Sequence, residues 1–182
     1  PKGRVLACFR LFRREDAYYL ELPKVMVNAT LGRLRKYLLR AKAVLEDASD
    51  ALARFGVAGP NAADLVGSVL GTVPETVNGV ITVDNMTAIR LPGLRSRFEL
   101  HGAARELGVV RNALAPNLAL VESESWRLLD ILAGIPTIYP ETAEAFVPQM
   151  INLQQLDGVS FQKGCYTGQE IVARTHYLGK LK

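Results

Sequence analysis

Residues 5–13 and 17–22 form two alternating or apolar runs joined by the polar corner Arg14-Glu15-Asp16, a pattern that predicts a β-hairpin. From Val27 onward Leu31, Leu34 and Leu38 recur at spacings of four and three. That period predicts a helix, and it places Arg33, Lys36 and Arg40 together on another face. Short apolar runs at 43–45 and 52–57 predict strands, and 61–70 predicts a helix stopped by Gly71. Three further strands are expected at 80–83, 87–91 and 97–100, with Asn85 and Pro92-Gly93 as turn markers, then a short helix at 102–107. Ser123 or Ser125 can cap a helix carrying Trp126, Leu129 and Ala133, which Gly134 and Pro136 would end. A last helix is predicted to start at Gln169. Hairpins and helices mix without a regular βαβ rhythm and without an internal repeat, so the expected class is α+β.

Composition narrows the picture only loosely. A chain of 182 residues with 49% hydrophobic content can bury one good core or two small ones. The net charge of +4 favours anionic partners. The two cysteines, Cys8 and Cys165, lie far apart and show no metal-ligand spacing. Neither a disulfide framework nor a zinc site is expected, and a reducing compartment fits better. No stretch approaches the roughly 20 apolar residues that span a bilayer, and no secretory leader is visible, so a cytoplasmic protein without membrane partners is expected.

Candidate chemistry concentrates in Lys163-Gly164-Cys165-Tyr166-Thr167-Gly168-Gln169-Glu170, which sets one thiol in a glycine-flanked bend beside a cation. Gly164 and Gly168 allow backbone conformations closed to other residues. Cys165 then lies just before a helix N-terminus, where the helix dipole and the Lys163 ammonium both favour thiolate, although Glu170 works against them. The alternative is an inert buried thiol. Trp126, the single tryptophan, is either a core residue beside Leu128, Leu129 and Leu132 or a platform for a flat ligand. His101 and His176 have no ligand-spaced partner, and a helix running from Gln169 through Tyr177 would carry His176 more than about 10 Å from Cys165.

The octapeptide, extended by Phe161-Gln162 before it and Val172-Ala173-Arg174 after it, closely resembles the signature of the YgfZ family. The match continues through Phe146-Val147-Pro148-Gln149, Asn152-Leu153-Gln154, Trp126, Leu11-Phe12-Arg13 and Lys2-Gly3. It covers most of the chain, with its specificity in the last third. The resemblance implies a folate-binding accessory protein for iron–sulfur cluster assembly or repair and, through that, for tRNA modification. It implies tetrahydrofolate or a derivative as cofactor, Trp126 as a folate contact, and Cys165 with Lys163 as the reactive centre. Iron–sulfur proteins and tRNA-modifying enzymes would be the partners.

The same resemblance implies a fold like that of the glycine-cleavage aminomethyltransferase, or T-protein, in which a ferredoxin-like domain interrupts a first domain and the two frame a folate channel. By that analogy residues 1–48 are expected to be the latter part of the inserted domain and 49–182 the folate-binding first domain. The family has a segment before this chain's start and a C-terminal β-rich domain after its end, so a fragment is expected.

Two other readings remain open. A folate-dependent aminomethyltransferase would need a carboxylate to activate the folate amine, and Asp84, Glu122 and Asp130 match no catalytic motif. Direct RNA binding is disfavoured by an aromatic content of 7% and the lack of an RNA-recognition pattern. The Arg33, Lys36 and Arg40 face is either an ordinary solvated surface or a grip for folate's glutamate tail or for phosphates.

Overall fold

A computed structural model describes residues 3–179. It is a mixed structure of two sheets and five α-helices, in agreement with the α+β expectation. Strands β1 (Arg10–Arg14) and β2 (Ala17–Glu21) pair as a two-stranded sheet around the Glu15-Asp16 corner, where Glu15 takes a φ of 54°. Then follow α1 (Lys24–Arg35), β3 (Ala53–Ala58), α2 (Ala62–Leu70), β4 (Val80–Val83), β5 (Met86–Arg90), β6 (Arg97–Gly102), α3 (Ala104–Leu114), α4 (Ser123–Leu132) and α5 (Gln169–Tyr177).

Contacts divide the described chain into two units that interleave in sequence. Unit 1 takes residues 3–10, 21–46 and 134–179, and unit 2 takes 11–20 and 47–133. The grouping differs from the two consecutive blocks 1–48 and 49–182, because residues 134–179 belong with the start of the chain. The physical link is a long-range pairing: the Val5 N–H donates to the Phe146 carbonyl at 2.9 Å, and the Glu144 N–H donates to the Val5 carbonyl at 2.8 Å. No local periodicity encodes such a contact.

In unit 2 the four-stranded sheet runs β3-β6-β5-β4, with every neighbour antiparallel. Strand β6 is central and buried along its whole length. Strand alternation gives the sheet two different faces. Val57, Ala88, Phe98 and Leu100 meet Val66 and Leu70 of α2 and Leu107, Val110 and Leu114 of α3 in the main apolar core. The opposite face carries Thr87, Arg97, Glu99 and His101, all at most 4% exposed. Buried polar residues on one face of a sheet are costly and call for partners. Phe12, Ile89 and Leu91 form a second core there, with Tyr19 and Trp126 packed against it.

Unit 1 has a smaller core of Val5, Met26 and Ile138, against which Phe146, Ile151 and Leu153 pack. Helix α1 is shorter than the Leu31, Leu34, Leu38 period predicts. Lys36 is its C-cap, the Tyr37 N–H closes back on the Leu34 carbonyl at 2.9 Å, and Leu39 adopts a φ of 40°. Arg40 therefore lies beyond the helix. Residues 43–45 form no strand, and the Arg35 guanidinium binds the Leu45 carbonyl at 2.7 Å instead. The helix expected at 102–107 extends to Leu114 because Leu107, Val110 and Leu114 keep one face apolar. At α4, Glu122 takes the N-cap position, and neither serine side chain caps it.

Candidate functional site

The octapeptide folds into a bend that ends on α5. Gly168 is the N-cap of that helix, with a φ of 91° that only glycine adopts without strain. The Tyr166 N–H donates to Gln169 Oε1 at 3.1 Å, while the Gln169 N–H donates to the Tyr166 carbonyl at 3.2 Å. This reciprocal pair ties the bend to the first helical turn and explains why a glutamine stands at the helix start. Upstream, the Ser160 hydroxyl accepts the N–H groups of Gln162 and Lys163 at 3.3 and 3.2 Å. The Lys163 ammonium sits 4.9 Å from the Tyr166 ring centroid, a cation–π contact.

Cys165 is exposed, which removes the reading of an inert buried thiol. Among the described residues no hydrogen bond joins its sulfur to Lys163. Gly164 leaves open space around its Cα, and Thr167 and Glu170 are exposed. The other thiol is its opposite: Cys8 packs against the small core, and burial pushes its pKa up to about 11.

Two segments from elsewhere in the sequence lock the α5 N-terminus. The Gln149 amide, itself buried, donates to the Val172 carbonyl at 2.6 Å. Gly3, at a φ of +65°, packs so closely that a Cβ there would meet the Gly168 carbonyl oxygen at 2.9 Å. The sequence singled out Gln149 and Gly3 only through resemblance; the close approach to α5 supplies their physical reason. Lys2 lies outside the described residues.

Beside this bend lies a cavity of about 1060 Å³ within unit 1, large enough for a cofactor-sized ligand. Lys163, Tyr166 and Thr167 line it together with Arg33 and Lys36 of the α1 end and Arg4. No aspartate or glutamate is among the described residues that line it. Four lining cations, with no carboxylate among the described lining residues, bias the cavity's potential positive. Its remaining lining is largely apolar, with Val5, Phe9, Val25 and Met26. Cys165 is not among the lining residues, although Lys163 before it and Tyr166 after it are. Arg40 takes no part, and Arg4, which no helical period could flag, does.

Trp126 belongs to unit 2. Its indole is half-buried against Gly56, with the Arg97 guanidinium carbon 5.2 Å from the ring centroid. Asp130 binds Arg97 at 2.8 Å, Asp84 occupies the β4–β5 turn at a φ of 45°, and Glu122 stands at the N-cap position of α4 without a side-chain cap bond. His101 is buried on the polar sheet face, 4.9 Å from the Phe12 ring. His176 stacks on Phe161 at 3.9 Å between centroids, a contact that holds the entry to the octapeptide against the far end of α5.

No family model matches the chain. Proteins called tRNA-modifying protein YgfZ from Colwellia psychrerythraea and Yersinia pseudotuberculosis are each 34% identical to it over 181 residues, taking in 100% of this chain and 55% and 54% of their own. The protein of that name from Hamiltonella defensa is 34% identical over 180 residues, covering 98% of this chain and 53% of its own. The chain spans about half the length of the curated relatives it matches. The likeness takes in 98–100% of this chain at 34% identity, so the chain is similar to about half of a YgfZ protein.

Proposed function

We propose that the protein is a folate-binding accessory factor that supports iron–sulfur cluster assembly or repair and, through it, tRNA modification. The relatives' shared name, tRNA-modifying protein, supports the last part. The observation that carries the reading is the acid-free, four-cation cavity with the octapeptide along one wall. An apolar lining with fixed positive charges suits an amphipathic anion, and a folate is one: a flat ring system joined to glutamate carboxylates. Arg4, Arg33, Lys36 and Lys163 are the groups to hold those carboxylates. When bound, a tetrahydrofolate supplies a one-carbon carrier. Cys165, exposed at the turn before α5, supplies a thiol that can meet the sulfur or iron of a client protein without lying in the folate cavity.

The T-protein type of fold belongs to the same proposal. What supports it is that residues 47–133, a sheet with helices on one face, interrupt unit 1 in sequence. On this reading the inserted domain is 47–133 rather than 1–48. A folate-dependent aminomethyltransferase is the less favoured alternative, since among the described residues no carboxylate lines the cavity to take the proton of a folate amine.

The test is Cys165→Ala in cells lacking the native protein. Iron–sulfur-dependent tRNA thiolation should be lost while tetrahydrofolate binding by the purified variant stays within about twofold of wild type, less than 0.5 kcal/mol. Full tRNA thiolation in the alanine variant would remove the thiol from the function. Transfer of an aminomethyl group by the purified protein would establish the alternative.

A further inference from the structure

Helix α1 turns two adjacent rows of residues toward the cationic cavity of unit 1. Val25, Ala29 and Arg33 make one row at a spacing of four, and Asn28, Gly32 and Lys36 make the row beside it; all of them line the cavity. Residues four apart lie one above the other on a helix, and Lys36, the C-cap, still has helical dihedrals, so both rows run along one wall. Gly32 is the middle of the second row, and there the wall has a notch. A Cβ added at Gly32 would meet no atom within 4 Å.

Glycine is a costly residue at this place. It sits inside α1, three residues before the last, where it destabilises a helix relative to alanine. The two usual structural reasons for such a glycine are missing among the described residues: its backbone is outside the left-handed region, and no neighbour approaches closely. What the absent side chain leaves open is the cavity. The notch is also polarised along the helix. Arg33 and Lys36 flank it on the C-terminal side, Ala29 and Val25 lie on the N-terminal side, and α1 holds no acidic residue. An amphipathic acid placed against this wall has one favourable direction, with its carboxylates at the two cations and its flat apolar part toward Val25.

We infer that Gly32 is a specificity-determining position of the cavity: the ligand lies directly on the helix backbone there, with the arylamide of a folate over Gly32 and its glutamate at Arg33 and Lys36. The inference rests on the folate reading above, and adds to it the wall that the ligand lies on and the direction in which it runs. Gly108 of α3 is an internal comparison. A Cβ there also meets nothing within 4 Å, but Gly108 does not line the cavity.

The experiment uses the full chain with Gly32→Ala, Gly32→Leu and Gly108→Ala. Urea midpoints are measured, and tetrahydrofolate and p-aminobenzoylglutamate, the acid end of a folate without its pterin, are titrated by calorimetry. Both alanine variants should keep or raise the midpoint, because alanine favours a helix and has room. Gly32→Ala should nevertheless bind both ligands roughly tenfold more weakly, and Gly32→Leu roughly a hundredfold, while Gly108→Ala binds as wild type does. Stability and affinity moving in opposite directions is a result that a merely structural glycine does not produce. Should Gly32→Leu fail to fold, Gly32→Ala carries the test alone. Wild-type affinity for both ligands in the Gly32 variants would overturn the inference and leave the folate reading standing. A loss confined to tetrahydrofolate would overturn the placement of the arylamide, and a wild type that binds neither ligand would overturn the folate reading and this inference with it.

Discussion

Gly56→Ala is the sharpest test of how unit 2 seats its tryptophan. A Cβ built at Gly56 falls 2.3 Å from Trp126 Cη2 and Cζ3 and 2.7 Å from Cε3. Carbon atoms in contact rest at about 3.5–4.0 Å, so ring or strand must give way by about 1.2 Å. The backbone at Gly56 is not in the left-handed region, so the contact itself is the whole native-state effect. The ring is held from Arg97 and cannot slide freely. Overpacking of this kind costs about 1–3 kcal/mol. Replacing glycine also lowers the entropy of the unfolded chain, which returns about 0.4–1 kcal/mol. The net loss should be about 1–2 kcal/mol. With a urea slope of about 1–3 kcal/mol/M, the midpoint should fall by roughly 0.3–2 M. Trp126, the single tryptophan, reports on unit 2 directly, so the melt is followed by its emission, and the native emission should itself shift. A midpoint equal to or above wild type with unchanged emission would refute the packing argument.

The remaining predictions concern unit 1. Native protein treated with a thiol reagent near neutral pH should show one fast and one slow cysteine, because Cys165 is exposed whereas burial holds Cys8 protonated; Cys165→Ala should abolish the fast phase, and two fast thiols would contradict the structure. The same burial raises the Cys8 pKa from 9.0 to about 11 in the folded state, so its contribution is full below about pH 9 and is lost as pH climbs toward 11. Cys8→Ala should therefore flatten the alkaline limb of a stability profile, and an unchanged slope would show that another group governs it. Gly3→Ala should cost about 1–2 kcal/mol from the left-handed backbone alone, with the close approach to the Gly168 carbonyl adding to it, measured as a lower thermal midpoint.

Local order in this chain was legible because local chemistry produced it. The Asn61–Gly71 boundaries of α2, the hairpin strands and the start of α5 at Gln169 follow from period and punctuation. Leu38 suits a longer helix, because spacing alone cannot tell a helical turn from the 3₁₀-type closure that ends α1 at Lys36. The unit division was illegible for a stronger reason. It depends on Val5 pairing with residues 144–146, far apart in the chain, and such contacts leave no periodic trace. Of the candidate site, Lys163, Tyr166, Thr167, Arg33 and Lys36 were visible as residues, but the cavity that collects them was not, and Arg4 had no signal at all. Arg97 was hidden for the opposite cause: in a strand pattern it occupies a position that reads as solvent-facing, while the fold buries it.

The claim that the cationic cavity holds an anionic folate is tested most directly by calorimetric titration of tetrahydrofolate into the wild-type chain and the Arg33→Glu/Lys36→Glu double variant. Both residues are exposed at the end of α1, so the variant should fold normally. Wild type should bind, with affinity falling as salt is raised, and the double variant should bind at least tenfold more weakly, the loss expected when two charge-assisted contacts become repulsive. Equal affinity in the two proteins, or wild-type affinity indifferent to salt, would contradict the account.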